Sequence, residues 1–126
     1  MVDIVTLIGI ALSKDDESWT DSLLLSDYTT TCVIERVLKD VAIMDWKNQK
    51  LIDKLFEAYE WLSIHKPCEE TKQDEALMTA CIHDRIDLIE KMIKTFKKLT
   101  PDNFQILLGI AKHHNRIDIY HLSKKL

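Results

Sequence analysis

Apolar residues return along this chain at helical rather than strand spacing almost from end to end. Val33, Val37, Leu38, Val41 and Ala42 recur at intervals that place them on one helical face. From Gln49 onward, Leu51, Ile52, Leu55, Phe56, Tyr59 and Leu62 draw a stronger stripe. Pro67 stops that helix, because its ring cannot continue the hydrogen-bonded ladder. Val2 to Ser13 is apolar on most faces, as suits a helix covered on more than one side. Between these segments, Lys14 to Ser18 reads as a charged loop. Ser18 with Asp21 gives a capping-box-like start for a short helix, Trp19 to Leu25. Thr29, Thr30 or Thr31 can cap the Val33 segment, and Asp45-Trp46-Lys47-Asn48 reads as a tight connection. Beyond the polar stretch Cys68 to Gln73, the spacing predicts a short helix over Asp74 to Cys81 and a longer one over Ile86 to Leu99. Thr100-Pro101 then supplies an N-cap and a first-turn proline for a helix holding Phe104, Leu107, Leu108 and Ala111. Ile117 to Leu126 is the last helical segment.

Composition supports the same class. Two Gly and two Pro in 126 residues are too few for the turns of an all-β fold. No linker rich in Gly or Ser divides the chain, so residues 1–126 read as one helical domain. Its expected architecture is all-α, with stacked helical hairpins of an ankyrin-like or solenoid-like kind and about seven to eight helices. With 46% hydrophobic residues, a core needs neither metal nor disulfide. Cys32, Cys68 and Cys81 are odd in number and form no Cys-x-x-Cys pair, which favours reduced thiols and a cytoplasmic location. The apolar run Ile4 to Leu12 falls short of the ~20 residues that span a bilayer. Asp3 precedes it where a signal peptide carries basic residues, so neither export nor a membrane is expected.

Charge is unevenly placed. Residues 1–75 hold 16 acidic and 8 basic side chains, a net of −8, whereas residues 76–126 hold 5 acidic and 9 basic, a net of +4. Phosphate neutralisation supplies most nucleic-acid affinity and demands a basic surface. The dominant acidity therefore points away from direct nucleic-acid binding and towards a basic protein partner.

The C-terminal part carries an internal repeat. Ala80-Cys-Ile-His-Asp-Arg-Ile-Asp-Leu88 aligns with Ala111-Lys-His-His-Asn-Arg-Ile-Asp-Ile119 at a period of 31 residues. Asp84 and Asn115 fall in the inter-helix turn, where both tolerate a left-handed backbone. Residues 1–66 thus form acidic N-terminal helices and 74–126 two helical hairpins, each burying an apolar face on the next. The run from Ala80-Cys81 to Asp84-Arg85-Ile86-Asp87-Leu88-Ile89 resembles the core of an ankyrin repeat, although Asp and Asn replace the turn Gly and the Thr-Pro-Leu-His signature is missing. That resemblance implies a stack with a protein-binding surface and no catalytic residues. In overall profile, a single small acidic helical domain, the chain is similar to bacterial immunity proteins, which neutralise a toxin by tight binding.

Candidate chemistry is sparse. His65-x-x-Cys68 and Cys81-x-His83 have zinc-ligand residue types, but Cys81 and His83, two apart in a helical region, do not share a face. His83 and His114 occupy equivalent positions before the turn, which fits a repeated structural role. No phosphate-cradling loop can be built from isolated glycines. Asp15-Asp16 and Glu69-Glu70 lie in polar loops, where they are expected to stay ionised and unperturbed. The basic groups Lys94, Lys97 and Lys98, and Lys124 and Lys125, complement helix C-termini. No catalytic, cofactor or metal site follows, and the chain is expected not to be an enzyme.

What remains is a binding surface. Trp19 and Trp46 sit at loop–helix junctions among acids, which suits core packing or an aromatic anchor ringed by polar groups. The candidate protein-binding residues are Asp15, Asp16, Glu17, Trp19, Asp21, Asp45, Trp46, Glu69 and Glu70. The expected function is a non-enzymatic inhibitor of immunity type that neutralises a basic toxin such as a nuclease. The alternative is an ankyrin-like effector or adaptor that binds through the tips at Asp84-Arg85 and Asn115-Arg116. Oligomeric state stays open.

Overall fold

The computed structural model describes residues 3–44, 46–68 and 70–97, together with residues 105, 109 and 113. Six helices lie among the described residues, with no strand: α1 (Ile4–Ser13), α2 (Glu17–Leu24), α3 (Thr31–Ile43), α4 (Gln49–His65), α5 (Gln73–Ile82) and α6 (Ile86–Thr95). The protein is all-α. Gln105, Gly109 and His113 are helical. The Thr100-Pro101 start, the Ile117 to Leu126 segment and the rest of the second repeat lie outside the described residues. No helix among the described residues is long and apolar enough to cross a membrane.

Local chemistry sets the helix starts. The first four helices each begin with a side chain that accepts from the N–H three residues on, satisfying a donor the helix itself leaves open. Asp3 takes Thr6 N at 2.8 Å, Asp16 takes Trp19 N at 3.0 Å, Thr30 takes Val33 N at 3.4 Å and Asn48 takes Leu51 N at 3.3 Å. Asp16 thus replaces Ser18 as the start of α2, and the helix begins two residues earlier than the capping-box pattern suggests. An Asp with its own N–H acceptor geometry outcompetes a Ser whose box partner is Asp. Helix α6 stops at Thr95, short of the expected Leu99.

Helix α3 is central and packs against α1, α4 and α5. Its Ile34, Val37, Leu38 and Val41 meet Ile8 and Leu12 of α1, the Leu51–Leu62 stripe of α4, and Leu77, Ala80, Leu88, Ile89 and Met92 in one core cluster. Fully burying such side chains stabilises each by about 1.5–3 kcal/mol relative to exposure. Ala76 and Ala80 are completely buried, and as small residues they let α5 approach α3 closely.

Helices α5 and α6 lack side-chain caps of their own, and distant residues serve instead. Glu35 of α3, 1% exposed, accepts from Lys72 N at 2.6 Å at the start of α5 and from Thr71 Oγ1 at 3.0 Å. A carboxylate at a helix N-terminus is favoured by the macrodipole. Tyr59 Oη donates to Glu35 at 2.5 Å and accepts from Gln73 Nε2 at 2.7 Å, so α3, α4 and α5 share one buried network. At the other end of α3, buried Arg85 donates to the carbonyls of Val41 (2.7 Å), Met44 (3.0 Å) and Trp46 (2.9 Å) and pairs with Asp87. Arg85 therefore closes the C-terminus of α3 from the start of α6. Asp84 before it has φ 57°, the left-handed turn expected from the sequence.

Candidate functional site

The acidic residues singled out in the sequence are placed at two ends of α3. Around the start of α2 lie Asp15, Asp16, Glu17, Trp19 and Asp21, with Trp46 against them. Asp15 is left-handed, φ 51°, and its Oδ1 accepts from Trp46 Nε1 at 3.0 Å and Asn48 Nδ2 at 2.9 Å. Those bonds, Asn48 first and Trp46 second, hold the Asp15 carboxyl below its ordinary pKa. The expectation of an unperturbed carboxylate there is corrected: Asp15 is a fastener between two connections. Glu17 pairs with Lys50 at 2.9 Å and Lys54 at 3.4 Å, and Asp21 with Lys54 at 2.9 Å. The hydrogen bond from Lys50 leads in keeping the Glu17 pKa low. Trp19 and Trp46 are half-buried, and Trp46 packs on the core.

Glu70 is exposed and lies at the opposite end of α3, where its carbonyl accepts from the Cys32 thiol at 2.8 Å. About a dozen residues of helix, roughly 18 Å at 1.5 Å per residue, separate that end from Trp46. Asp45 and Glu69 lie outside the described residues. The structure thus brings together six of the nine candidates, several already bonded to neighbours in the same chain.

A second surface is more open, and it lies along α4. The outer stripe of this helix runs Lys50, Asp53, Lys54, Glu57, Glu60, Trp61 and Ile64. Its N-terminal half is committed: Lys50 and Lys54 pair with α2, and Asp53 accepts Lys91 of α6 at 2.6 Å. Its C-terminal half is not covered. Trp61 is 54% exposed and Ile64 78%, with the indole stacked on His65 at 4.2 Å between ring centroids. Glu57 and Glu60 flank them, both exposed.

The α2–α3 connection adds to this surface. Glu17–Lys50 and Asp21–Lys54 share one sequence offset, so α2 and α4 run parallel in register. Leu25 and Tyr28 of that connection are 84% and 79% exposed. Lys66 lies 3.9 Å from Asp27 and closes that end. Asp27 thus ties the connection to the C-terminal end of α4, whose outer stripe presents Trp61 and Ile64 beside the carboxylates of Glu57 and Glu60. Trp61 lies one position off the apolar stripe of α4. The sequence carries that offset, but stripe-adjacent tryptophans usually pack inward.

Sequence reasoning also missed the Glu35–Tyr59–Gln73 network, which borders a cavity of about 290 Å³ reached by Thr31, Ser63 and Lys97. Burial pushes the Tyr59 phenol well above its ordinary pKa, and its bond to Glu35 adds to that. A perturbed group in a cleft is an active-site suspect. Here, however, Glu35 accepts from Tyr59 of α4 and from Thr71 and Lys72 of the connection that leads into α5, so its bonds tie α3 to α4 and to the start of α5. The arrangement locks three helices.

Of the residue types considered for zinc, Cys81 is buried, with burial raising its thiol pKa to about 11. His83 is exposed and His65 faces Trp61. Among the described residues no three His, Cys, Asp or Glu side chains are grouped to hold a metal ion. No protein-family model, curated protein or solved structure matches the chain.

Proposed function

We propose that the protein is a non-enzymatic inhibitor of immunity type that binds and neutralises a basic protein toxin, a nuclease being the favoured class. The observation that carries this reading is the exposed Trp61–Ile64 end of α4, with the carboxylates of Glu57 and Glu60 on the same outer stripe. Interfaces place aromatic anchors at their centre and polar groups at their edge. The partner is basic because Glu57 and Glu60 share the outer stripe of α4 with Trp61 and Ile64, within a segment of net charge −8 over residues 1–75. Asp15, Asp16, Glu17, Asp21 and Glu70 extend the negative field, and the half-buried Trp19 and Trp46 among the first four serve as secondary contacts rather than the anchor. The second repeat, read as a further hairpin stacked on α5 and α6, brings the proposed total to seven or eight helices.

The alternative tip-binding surface at Asp84-Arg85 has less support, because Arg85 is buried against the end of α3. The test is kinetic. The full chain is used as bait, the captured protein is identified and purified, and association is measured at low and high salt. A basic partner whose association slows at least about tenfold with salt is expected from steering by acidic groups. A neutral or acidic partner, or a salt-independent rate, counts against the proposal.

A further inference from the structure

Cys32 and Cys68 lie 36 positions apart in sequence, and the fold brings them together. Cys32 sits in the first turn of α3 and Cys68 in the connection after α4. That connection is laced to the start of α3: Cys68 N donates to Thr31 Oγ1 at 3.0 Å, Cys68 Sγ and Thr30 Oγ1 share a bond of 3.3 Å, and Cys32 Sγ donates to Glu70 O at 2.8 Å. These bonds hold both sulfurs at the start of α3, where each alters the ionisation of the other. Both are free and half-buried, whereas Cys81 is enclosed in the core.

We infer that Cys68 and Cys32 form a peroxide-oxidised thiol pair, Cys68 reacting first and Cys32 resolving it into an intrachain disulfide. The two sulfurs are unequal in the way such a pair requires. Burial opposes the Cys68 thiolate, but its polar interactions with Cys32 and Thr30 outweigh it and its pKa falls below the ordinary 9.0. Burial and the interaction with Cys68 instead push Cys32 up to about 12. Cys68 is therefore the nucleophile and Cys32 the proton-holding partner.

The steps balance with a hydroperoxide as oxidant. The Cys68 thiolate attacks one peroxide oxygen; an S–O bond forms, the O–O bond breaks, and the departing hydroxide takes a proton to become water. Cys32 then attacks the Cys68 sulfur, losing its proton; the S–S bond forms and the S–O bond breaks, releasing a second water. Two thiols are oxidised and one peroxide is reduced. The sulfurs must close to about 2 Å for the disulfide, and Cys68, carried on a connection rather than a helix, makes the move.

The full chain is treated with hydrogen peroxide and its thiols are counted by alkylation after unfolding. A fall from three free thiols to one is expected, with a Cys32–Cys68 cross-linked peptide and a mass loss of about 2 Da. In C32S the resolving thiol is gone, so Cys68 should accumulate as a sulfenic acid that dimedone traps. C68S should react at least about tenfold more slowly than the unmodified chain. Circular dichroism confirms that each variant is folded, and trypsin mapping of the unsubstituted chain reads the pairing without any variant. Three thiols surviving treatment, a bridge to Cys81, a disulfide only between chains, or full reactivity in C68S would each overturn the inference.

Discussion

Arg85 donates from Nη1 to the carbonyl oxygen of Val41 at 2.7 Å, across 44 positions of sequence. This bond, with those to Met44 and Trp46, ends α3 by means of a cation from the start of α6. Favourable charge at a helix C-terminus is ordinary; here the cation is buried and supplied by another hairpin. Arg85→Ala leaves three carbonyls and Asp87 without their donor, and an expected loss of about 3–5 kcal/mol follows. Urea unfolding measures it. Arg85→Lys should recover only part, because an ammonium lacks the planar fork that reaches several carbonyls at once.

Tyr59→Phe tests the other end of α3. The substitution keeps the ring against Phe96 (5.3 Å between centroids) but removes a donor to buried Glu35 and an acceptor for Gln73. A destabilisation of about 1–3 kcal/mol is expected. A change near zero in the denaturant midpoint would mean that the network contributes no stability.

Acid should reach Asp15. Its folded pKa lies below the ordinary 3.8, so its contribution is present above the unfolded value and disappears as pH falls through the folded one. Asp15→Asn should lower the urea midpoint at neutral pH, and the gap to the unsubstituted protein should close below about pH 3. A gap that persists unchanged into acid would show that the carboxylate charge is not what holds Trp46 and Asn48.

The left-handed turn at Asp84 makes a sharper backbone test. Asp84→Asn should be tolerated, whereas Asp84→Val should cost about 1–2 kcal/mol, because a branched side chain crowds the following carbonyl at positive φ. Thermal melting of the two variants separates backbone strain from a generic surface effect.

The stripes of α3, α4 and α6 were legible because a one-sided core imposes a 3.6-residue period on the residues that build it. The Asp84 turn was legible because few residue types accept that backbone. Glu35 and Arg85 were not. Their partners are main-chain atoms and hydroxyls dozens of positions away, and no local pattern distinguishes a buried charge from one on a solvated face. Arg85, placed at a hairpin tip, read as a contact residue for the same reason. The acids of α2 left a usable trace: Glu17 and Asp21 are one turn apart, as are Lys50 and Lys54, and two such pairs fit parallel helices. Trp61 was one position from the core stripe, and only the packing of α4 decided that it faces outward.

That outward tryptophan carries the central claim. The most direct measurement is the affinity of the purified basic partner for the unsubstituted chain and for Trp61→Ala, with urea unfolding of both alongside. A binding loss of at least about 30-fold, near 2 kcal/mol, is expected from an interface anchor, with stability changed by no more than about 0.5 kcal/mol, as for a surface residue. Affinity held within about twofold in a folded W61A protein would contradict the assignment of this face as the binding surface.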